Sequence, residues 1–558
     1  MHGRERRADE SDGSAHRRRA MQQIAVVGNK AYLNGGRVSE YIDGETQNSN
    51  GATSSELAST FSLPLDKLWS NSTKNSPYGD YSPNADSRRP RPIRLKQALW
   101  GDRAGKMMYR WGGATSWGKT MDEDDVVLFR FDPDRQSGDQ WDEADKTPED
   151  VDGNTFVGNS NGASASCNGL GFYVGGLASN ASDSTVSANF STPGVLMYDM
   201  EDGTWTNSTT VPLNEPNGHV WSMEAQCTTA FNNADPLLVV LGGKSDSGFM
   251  SMNSVWFWDP AEKEWYNQTA TGDVPSEREY FCTAGAESKG GTYEIFVYGG
   301  RDADGETLDD IHVLSLPAFH WFNTNVSAPA RLHHACASGG NGQMLAVGGV
   351  EKEWEWETPD PWRWSVGVLD MKELEWKDGY NGDAGEYEAA DAVRQWYSDG
   401  NLDNVQWDDE TAKSLFDKSI SVDVPKETPS TSSGDGSSEA SGDGGSSSNT
   451  GAIVGGVIGG IAALAVLGAL LWFLRRRKKK GTQAAELVGD HAHGALPPKS
   501  MSSSPASGTR TDSNSEPVSE MATVGHERLE LPEETSGRAE LPTDFNLGVD
   551  RHFTLQKP

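Results

Sequence analysis

Short apolar runs that end at paired glycines recur along the first 380 residues of the chain. Residues 237–265 (LLVVLGGKSDSGFMSMNSVWFWDPAEKEW) show the unit clearly. One apolar run ends at Gly242-Gly243, a second ends at Asp259, and Trp265 follows. Runs of four to six β-branched or aromatic residues predict buried strands, and glycine pairs are typical where the backbone turns through positive φ. The pattern predicts a series of β-hairpins.

The unit occurs six times, so the chain is a repeat protein. A four-stranded sheet cannot bury both of its faces alone, and such units therefore pack face to face around an axis, with a tryptophan between neighbours. The glycine pairs are Gly35-Gly36, Gly112-Gly113, Gly175-Gly176, Gly242-Gly243, Gly299-Gly300 and Gly348-Gly349. The tryptophans that follow them are Trp69, Trp141, Trp205, Trp265, Trp321 and Trp376. The residues that close an apolar run six positions before the last four tryptophans are Asp199, Asp259, Ser315 and Asp370.

This pattern resembles kelch repeats, which form β-propellers. More specific likenesses are WSVGVLDMKELEWKDGY (364–380), VVGNKAYLNGGRV (26–38) and PARLHHAC (329–336). With the apolar segment described below, they are similar to the single-pass membrane kelch-repeat proteins of filamentous fungi, whose propellers are often labelled galactose-oxidase-like. The resemblance implies an all-β fold, a kelch-type β-propeller of six blades, or of seven if the closing segment 383–423 adds one.

Composition changes along the chain divide it into five predicted regions. The propeller takes 22–424, and its first strand is expected to start at Gln23. The others are a charged, disordered N-terminal segment (1–21), a flexible Ser/Gly-rich linker (425–451), a transmembrane helix (452–474) and a disordered cytosolic tail (475–558). The N-terminal segment has no apolar core, so it is not a signal peptide as written, and we expect the natural start to encode a leader.

The predicted transmembrane helix has 23 residues without a charge and is followed by RRRKKK. That length spans the hydrocarbon of a bilayer, and the basic run places the C-terminal side in the cytosol. Glycines four apart (Gly451, Gly455, Gly459) permit close pairing of two such helices, or reflect the general abundance of glycine in them. We therefore expect a type I protein of the plasma membrane or cell surface.

The distribution of N-glycosylation sequons agrees with this orientation, because all six precede the apolar segment and none follows it. Glycans require lumenal passage and surface loops. The predicted sites are Asn71, Asn180, Asn189, Asn207, Asn267 and Asn325.

The charge balance limits the partners. Lysine and arginine number 48 and aspartate and glutamate 82, a formal net charge of −34, which argues against nucleic acid because phosphate binding needs a basic face. An extracellular, solvated surface fits this balance better.

The cysteines leave two alternatives open. An even number in a secreted domain allows two disulfides with three connectivities, whereas small buried thiols on the inner strands are equally consistent with the pattern. The four cysteines are Cys167, Cys227, Cys282 and Cys336.

Candidate metal chemistry is weak. The galactose-oxidase resemblance implies copper held by two tyrosines and two histidines, with one tyrosine and one histidine adjacent, and this chain has no Tyr-His dipeptide. His333 and His334 are neighbours on a strand and point to opposite faces, so they cannot share an ion without distortion. The acidic run RDADGETLDD (301–310) has the alternating oxygens of a calcium site, but turn chemistry explains it better. We expect no cofactor and no bound metal.

One loop stands out as a candidate ligand surface. In EKEWEWETPDPWRW (351–364), aromatic side chains lie among acidic residues and proline, where they stack on sugars or anchor a protein, unless they pack on the neighbouring blade. Arg278 and Arg331 precede inner strands and are expected to be structural. The four tryptophans of this loop are Trp354, Trp356, Trp362 and Trp364.

These observations predict a non-catalytic recognition or scaffold protein whose extracellular propeller binds a protein or a cell-wall polysaccharide, with a single membrane span and helix-mediated dimerisation as a further option. The alternatives are an extracellular galactose-oxidase-like enzyme and an intracellular kelch scaffold. The sequence does not name the ligand.

Overall fold

A computed structural model of the chain describes residues 16–420 except for internal gaps. The chain divides into two units, residues 1–426 with 534–558 and residues 427–533. All described residues belong to the first unit. The gaps are 43–44, 47–53, 57–58, 74, 82–93, 116–125, 136–139, 146–147, 150–152, 154, 209–218, 232–235, 353–354, 357 and 417–419.

Six antiparallel sheets, each with four successive strands, make up most of the described chain. Sheet 1 consists of Gln23–Val27, Lys30–Asn34, Thr60–Pro64 and Gly79–Tyr81. Sheet 2 consists of Ala98–Gly101, Met108–Trp111, Leu128–Phe131 and Trp141–Asp145. Sheet 3 consists of Ala163–Cys167, Leu170–Val174, Val195–Asp199 and Thr204–Ser208.

Sheets 4 to 6 continue the same order. Sheet 4 consists of Glu224–Thr228, Leu237–Leu241, Ser254–Asp259 and Glu264–Thr269. Sheet 5 consists of Cys282–Glu287, Tyr293–Tyr298, Ile311–Leu316 and His320–Asn323, with Thr271–Gly272 added parallel at its outer edge. Sheet 6 consists of Ala335–Ser338, Gln343–Val347, Val366–Asp370 and Glu375–Lys377.

The first strands of the six sheets stand side by side around a central channel, and that of sheet 6 also lies beside that of sheet 1. First strands are polar and partly exposed, as in Glu224–Thr228, because one side of each faces the channel. Second strands such as Leu237–Leu241 are buried at every position, because sheets cover both of their faces. The continuous apolar runs of the sequence are therefore mainly second and third strands.

The repeated tryptophans pack against the preceding sheet. The indole N–H of Trp205 in sheet 3 donates to Asp145 of sheet 2 at 3.1 Å. That of Trp321 in sheet 5 donates to the Met252 carbonyl oxygen, which precedes the third strand of sheet 4, at 3.1 Å. Trp69 differs, because it lies before the fourth strand of sheet 1, in a short strand that pairs with Gly379–Tyr380. This pairing adds backbone hydrogen bonds between the first and last repeats.

Several short strands lie outside the six sheets. They are His16–Ala20, Arg37–Ile42, Glu45–Thr46, Ser55–Glu56, Trp69–Ser70, Leu177–Ala178, Phe190–Ser191, Val220–Trp221, Lys244–Ser245, Gly248–Phe249 and Gly379–Tyr380.

The strand His16–Ala20 corrects the boundary expected at residue 21, because the end of the charged segment is ordered. It pairs with Arg37–Ile42, and the side chains of Arg18 and Arg19 are buried. Arg18 donates to Glu351 at 3.0 Å, and the Arg19 guanidinium lies 4.7 Å from the centre of the Phe61 ring. Ion pairing and aromatic contacts thus offset the burial of these charges, which composition alone could not indicate.

The segment after sheet 6 forms helices in its described part. Helix α1 is Asp391–Ser398, a 3-10 turn is Asn401–Asn404, and helix α2 is Glu410–Ser414. Phe416, just after α2, packs on Phe257 and Phe319 with ring centroids 5.1 Å apart in both cases. The closing segment therefore covers the edges of sheets 4 and 5.

No helix among the described residues is long and apolar enough to cross a membrane. The predicted linker, transmembrane helix and tail all lie outside the described residues, as do residues 1–15. These regions remain predictions from the sequence.

Candidate functional site

The residue two positions before the first strand of each of the six sheets adopts a left-handed backbone. Successive members are linked by backbone hydrogen bonds across the sheets, for example from Lys96 N–H to the Met21 carbonyl at 3.1 Å and from Met21 N–H to the His333 carbonyl at 2.9 Å. All of these residues line one opening of the channel, which we name the channel mouth. They are Met21, Lys96, Asn161, Ser222, Tyr280 and His333, with φ between 54° and 64°.

A cationic cluster surrounds Tyr280 at the channel mouth. The ammonium of Lys96 lies 3.8 Å from the centre of the Tyr280 ring, and the Arg301 guanidinium carbon lies 5.3 Å from it. Arg301 and Lys244 both pair with the buried carboxylate of Glu279, at 2.6 and 3.0 Å. A half-buried aromatic ring is therefore held between two cations.

The acidic group that lines the mouth beside this cluster is Glu224. Burial raises the pKa of Glu224 to about 8, and the nearby charge of Lys96 opposes that shift. Burial, together with Lys96, Arg301 and His334, lowers the pKa of His333 well below its usual value, so His333 is neutral. Among these described groups the cations therefore outnumber the ionised carboxylates, and the channel mouth is positive within a chain of net charge −34.

The channel below the mouth is polar and holds a cavity of about 220 Å³. Serine, threonine and glutamine side chains of the first strands line it, together with the disulfide sulfurs. Cys167 of sheet 3 is bonded to Cys227 of sheet 4, and Cys282 of sheet 5 to Cys336 of sheet 6, with Cα–Cα distances of 5.8 and 5.4 Å. Each disulfide therefore joins the first strands of neighbouring sheets, one of the arrangements that the sequence left open.

Arg278 and Arg331 have structural positions. The Arg278 side chain is fully buried and donates to both carboxylate oxygens of Asp310, at 2.7 and 2.9 Å. Arg331 does the same with Asp360, at 2.9 and 2.6 Å, and lies 3.9 Å from the centre of the Trp362 ring. Arg278 also donates to the carbonyl oxygen of Gly299, and Arg331 to that of Gly348. Each of these glycines is the first of the glycine pair in that sheet.

The tryptophan loop is partly buried where it is described. Trp356 is only 1% exposed and packs with Ala20, Met21 and other apolar residues. Trp362 and Trp364 are half-buried. The ring centroids of Trp362 and Trp376, both in sheet 6 or its loops, are 4.8 Å apart. Trp354 lies outside the described residues. The structure favours the packing alternative, because the strand His16–Ala20 covers part of this loop.

The predicted sequons differ in the accessibility of their asparagine. Asn71 donates to the Val366 carbonyl at 2.9 Å, and Asn267 donates to Ser254, so both amide nitrogens are engaged within the fold. The exposed asparagines are Asn180, Asn189, Asn207 and Asn325.

Two other histidines of the propeller and the acidic run have ordinary partners. His219 contacts Asp246 at 2.8 Å, and His320 contacts Thr271 at 2.8 Å. In the acidic run 301–310, the Asp302 carboxylate accepts two backbone N–H groups of its own turn, which supports the turn interpretation. Within the described ranges, Cys282, His334 and Cys336 are the one group of His, Cys, Asp or Glu side chains close enough to share an ion.

The channel mouth was missed by reasoning from the sequence. Lys96 and Tyr280 carry no motif of their own, but each lies two residues after an arginine, Arg94 and Arg278. The same spacing relates Met21 to Arg19 and His333 to Arg331. An arginine that recurs at the same place in four repeats is thus a sequence signal. It could have located four of the six mouth residues, each of which follows two positions after it.

Comparisons with known proteins agree with this architecture. The sequence profile of the KLHDC2/KLHL20/DRC7 Kelch-repeats domain matches residues 228–386, from the end of the first strand of sheet 4 to beyond sheet 6. A Kelch repeat-containing protein of Arthroderma benhamiae is 27% identical over 191 residues, 32% of this chain and 28% of that protein. Dynein regulatory complex subunit 7 of Chlamydomonas reinhardtii is 29% identical over 115 residues, 20% of this chain and 10% of that protein. The chain thus matches less than a third of the length of either relative. The repeats and the all-β fold agree with these likenesses, which support kelch repeats and a β-propeller and are carried by residues 228–386.

Proposed function

We propose that this kelch propeller is a non-catalytic scaffold that binds a protein partner at the channel mouth. The observation that carries the proposal is the placement of Lys96 and Arg301 beside the Tyr280 ring, with Lys244 joined to Arg301 through the Glu279 carboxylate, within a strongly acidic chain. Tyrosine and arginine are enriched where protein interfaces concentrate their binding energy. Local positive charge also steers acidic segments toward the site. The expected partner is a protein segment rich in aspartate or glutamate.

We propose that this scaffold is a closed propeller of six blades. The supporting observation is that the first strands of sheets 1 and 6 are neighbours, so no space for a further blade lies between them. The closing segment contributes helices in its described part instead of the strands that a seventh blade would need.

A protein ligand is preferred to a polysaccharide because, of the tryptophans that favoured sugar stacking, Trp356 is buried and Trp362 packs on Trp376. One similar protein is a subunit of a dynein regulatory complex by its name, and a role in a protein assembly is compatible with that likeness.

The test compares two charge reversals at opposite ends of sheet 2. Lys96→Glu changes the channel mouth, whereas Lys106→Glu changes an exposed turn between the first and second strands. A fluorescein-labelled hexaglutamate peptide serves as the probe, with anisotropy measured for the full-length protein at low and high salt. We expect binding to weaken roughly tenfold, or about 1.4 kcal/mol, in Lys96→Glu and to be unchanged in Lys106→Glu. Equal binding by both variants and the wild type would exclude the mouth as the site.

We also propose that the propeller faces the cell exterior on a single membrane span. The support is the uncharged run 452–474 followed by six basic residues at 475–480, and four exposed sequons in the propeller. Removal of N-glycans from the full-length protein of its native cells should increase its gel mobility. An unchanged mobility would favour the alternative, an intracellular kelch scaffold.

A further inference from the structure

Three potential metal ligands converge on the wall of the channel between sheets 5 and 6. They are the sulfurs of Cys282 and Cys336 and a ring nitrogen of His334, all within 4.8 Å of one another. The two sulfurs are bonded to each other as a disulfide. Cysteine sulfur and imidazole nitrogen are the ligands that zinc prefers in proteins.

The fold creates this cluster from two neighbouring strands. Cys336 lies in the first strand of sheet 6 and His334 just before it, and because the two residues are two positions apart both line the channel. Cys282 begins the first strand of sheet 5, which lies directly beside it. All three residues line the 220 Å³ channel cavity. The cluster therefore has access to water and small ions.

His334 is the observation that distinguishes this cluster from an ordinary disulfide. Its side chain is 6% exposed, and its ring meets Tyr298 edge-on with centroids 4.7 Å apart. Neither ring nitrogen makes a hydrogen bond of normal geometry to any other described residue. A contact with the Tyr298 backbone compensates the burial of this imidazole only in part, so a ligand for its nitrogen would recover free energy.

We propose that reduction of the Cys282–Cys336 disulfide converts this cluster into a binding site for Zn²⁺. A dithiol reductant supplies two electrons and two protons. The S–S bond breaks, two protein thiols form, and the reductant becomes a disulfide. Zn²⁺ then displaces the two thiol protons to water and binds both thiolates and the His334 nitrogen.

The required movements are small. With Zn–S bonds of about 2.3 Å and Zn–N bonds of about 2.0 Å, the ligand atoms of a tetrahedral site lie about 3.3 to 3.8 Å apart. The sulfurs must separate to that distance, and the nitrogen is already within 4.8 Å of both. A channel water fills the fourth position. The joint between sheets 5 and 6 is thus held by a disulfide under oxidising conditions and by a metal ion under reducing ones.

The other disulfide provides a matched control. Cys167 and Cys227 join sheets 3 and 4 in the same way, but no His, Cys, Asp or Glu of the described chain completes a three-ligand group with them. After reduction this pair offers two thiols without an imidazole. It should bind zinc much more weakly.

The test titrates Co²⁺, a spectroscopic substitute for Zn²⁺, into the full-length protein before and after treatment with dithiothreitol and its anaerobic removal. We expect thiolate-to-cobalt charge-transfer absorption at one ion per chain after reduction, none before it, and loss of the signal when Zn²⁺ is added. His334→Asn should weaken Co²⁺ binding by the reduced protein at least tenfold. This variant keeps both disulfides, and tryptophan fluorescence in the oxidised state checks that it is folded. Cys167→Ser/Cys227→Ser should bind like the wild type.

Three results would overturn the proposal: no charge-transfer absorption in the reduced wild type, unchanged affinity in His334→Asn, or loss of binding in Cys167→Ser/Cys227→Ser. Failure of this test leaves the hexaglutamate experiment unaffected, because the channel mouth and the cysteine cluster are probed by different ligands.

Discussion

The ion pair between Arg331 and Asp360 gives the sharpest test of how the sheets are held together. Both side chains are buried, at 0% and 1% exposure, and two hydrogen bonds of 2.9 and 2.6 Å join them. Arg18 lies 4.0 Å from the same carboxylate and is also fully buried. Asp360 therefore pairs closely with Arg331 and lies at the edge of ion-pair distance from Arg18, whose nearer carboxylate is Glu351 at 3.0 Å.

Asp360→Asn preserves the size of this side chain and removes its charge. Breaking a buried ion pair on one side typically costs about 3–5 kcal/mol, because the remaining charge stays buried without its partner. The unfolding entropy is about 2.1 cal/mol/K per residue, so for a propeller of about 400 residues the loss corresponds to a Tm lower by roughly 5 °C.

Asp310→Asn is the matched comparison, because Asp310 pairs with Arg278 in the same way one sheet earlier. Its side chain is 31% exposed, and water therefore replaces part of the lost interaction. We expect a cost of about 1–2 kcal/mol there, since solvent screening reduces the value of an ion pair. The Arg278 guanidinium holds the pKa of Asp310 well below its usual range, against the opposing effect of burial.

Thermal unfolding of the full-length protein, followed by tryptophan fluorescence, measures both variants. The double variant Arg331→Met/Asp360→Leu should recover part of the loss, because apolar replacement of a buried pair is often tolerated. If Asp360→Asn lowers Tm no more than Asp310→Asn, burial does not set the cost and the reasoning is wrong.

Three further predictions follow from individual side chains. Burial raises the pKa of Glu294 from 4.5 to about 7, so its contribution to stability is present below pH 4.5 and is lost as the pH rises through 7. Glu294→Gln should therefore stabilise the fold at pH 8 by up to about 3 kcal/mol and change little at pH 4, in urea titrations. Gly300→Ala should cost about 1–3 kcal/mol in the same assay, because a Cβ at φ +99° would lie 2.8 Å from the backbone carbonyl oxygen of Glu279. On the proposed lumenal orientation, Asn180→Gln should remove a glycan and Asn71→Gln should not, as judged by gel mobility.

Each of these has a contrary outcome. A pH-independent effect of Glu294→Gln would show that the carboxyl group ionises normally in the folded chain. Gly305→Ala is the control for Gly300→Ala, because Gly305 has φ +85° but open space around it, and equal losses would leave only backbone strain as the cause. A glycan lost in Asn71→Gln would mean that its hydrogen bond to Val366 does not prevent modification.

The repeat pattern of the sequence was sufficient for the fold because its period is local. Apolar runs such as residues 237–241 are strands covered on both faces, and paired glycines such as Gly242-Gly243 have positive φ as expected. The first strand of sheet 1 begins at Gln23, but the strand His16–Ala20 precedes it and was not predicted. Spacing within one repeat fixes these features, so no knowledge of distant contacts is needed.

The candidate sites could not be predicted in this way. The channel mouth combines one residue from each repeat, and Lys96 meets Tyr280 only because the sheets close into a ring. The same closure sets the pairing of the cysteines, for which the sequence allowed three connectivities.

The sequence by itself determined the repeats, their strands and turns, and the sheet-to-sheet role of the tryptophans, because hydrophobic periodicity and glycine conformation act over a few residues. Only the tertiary structure decided what each side chain faces. Trp356 is buried because the strand His16–Ala20 folds back near it, and Arg18 is tolerated in the interior because Asp360 and Glu351 are brought to it. Burial and charge compensation depend on groups more than 300 residues apart in the chain, and a local sequence pattern does not show which of these groups meet.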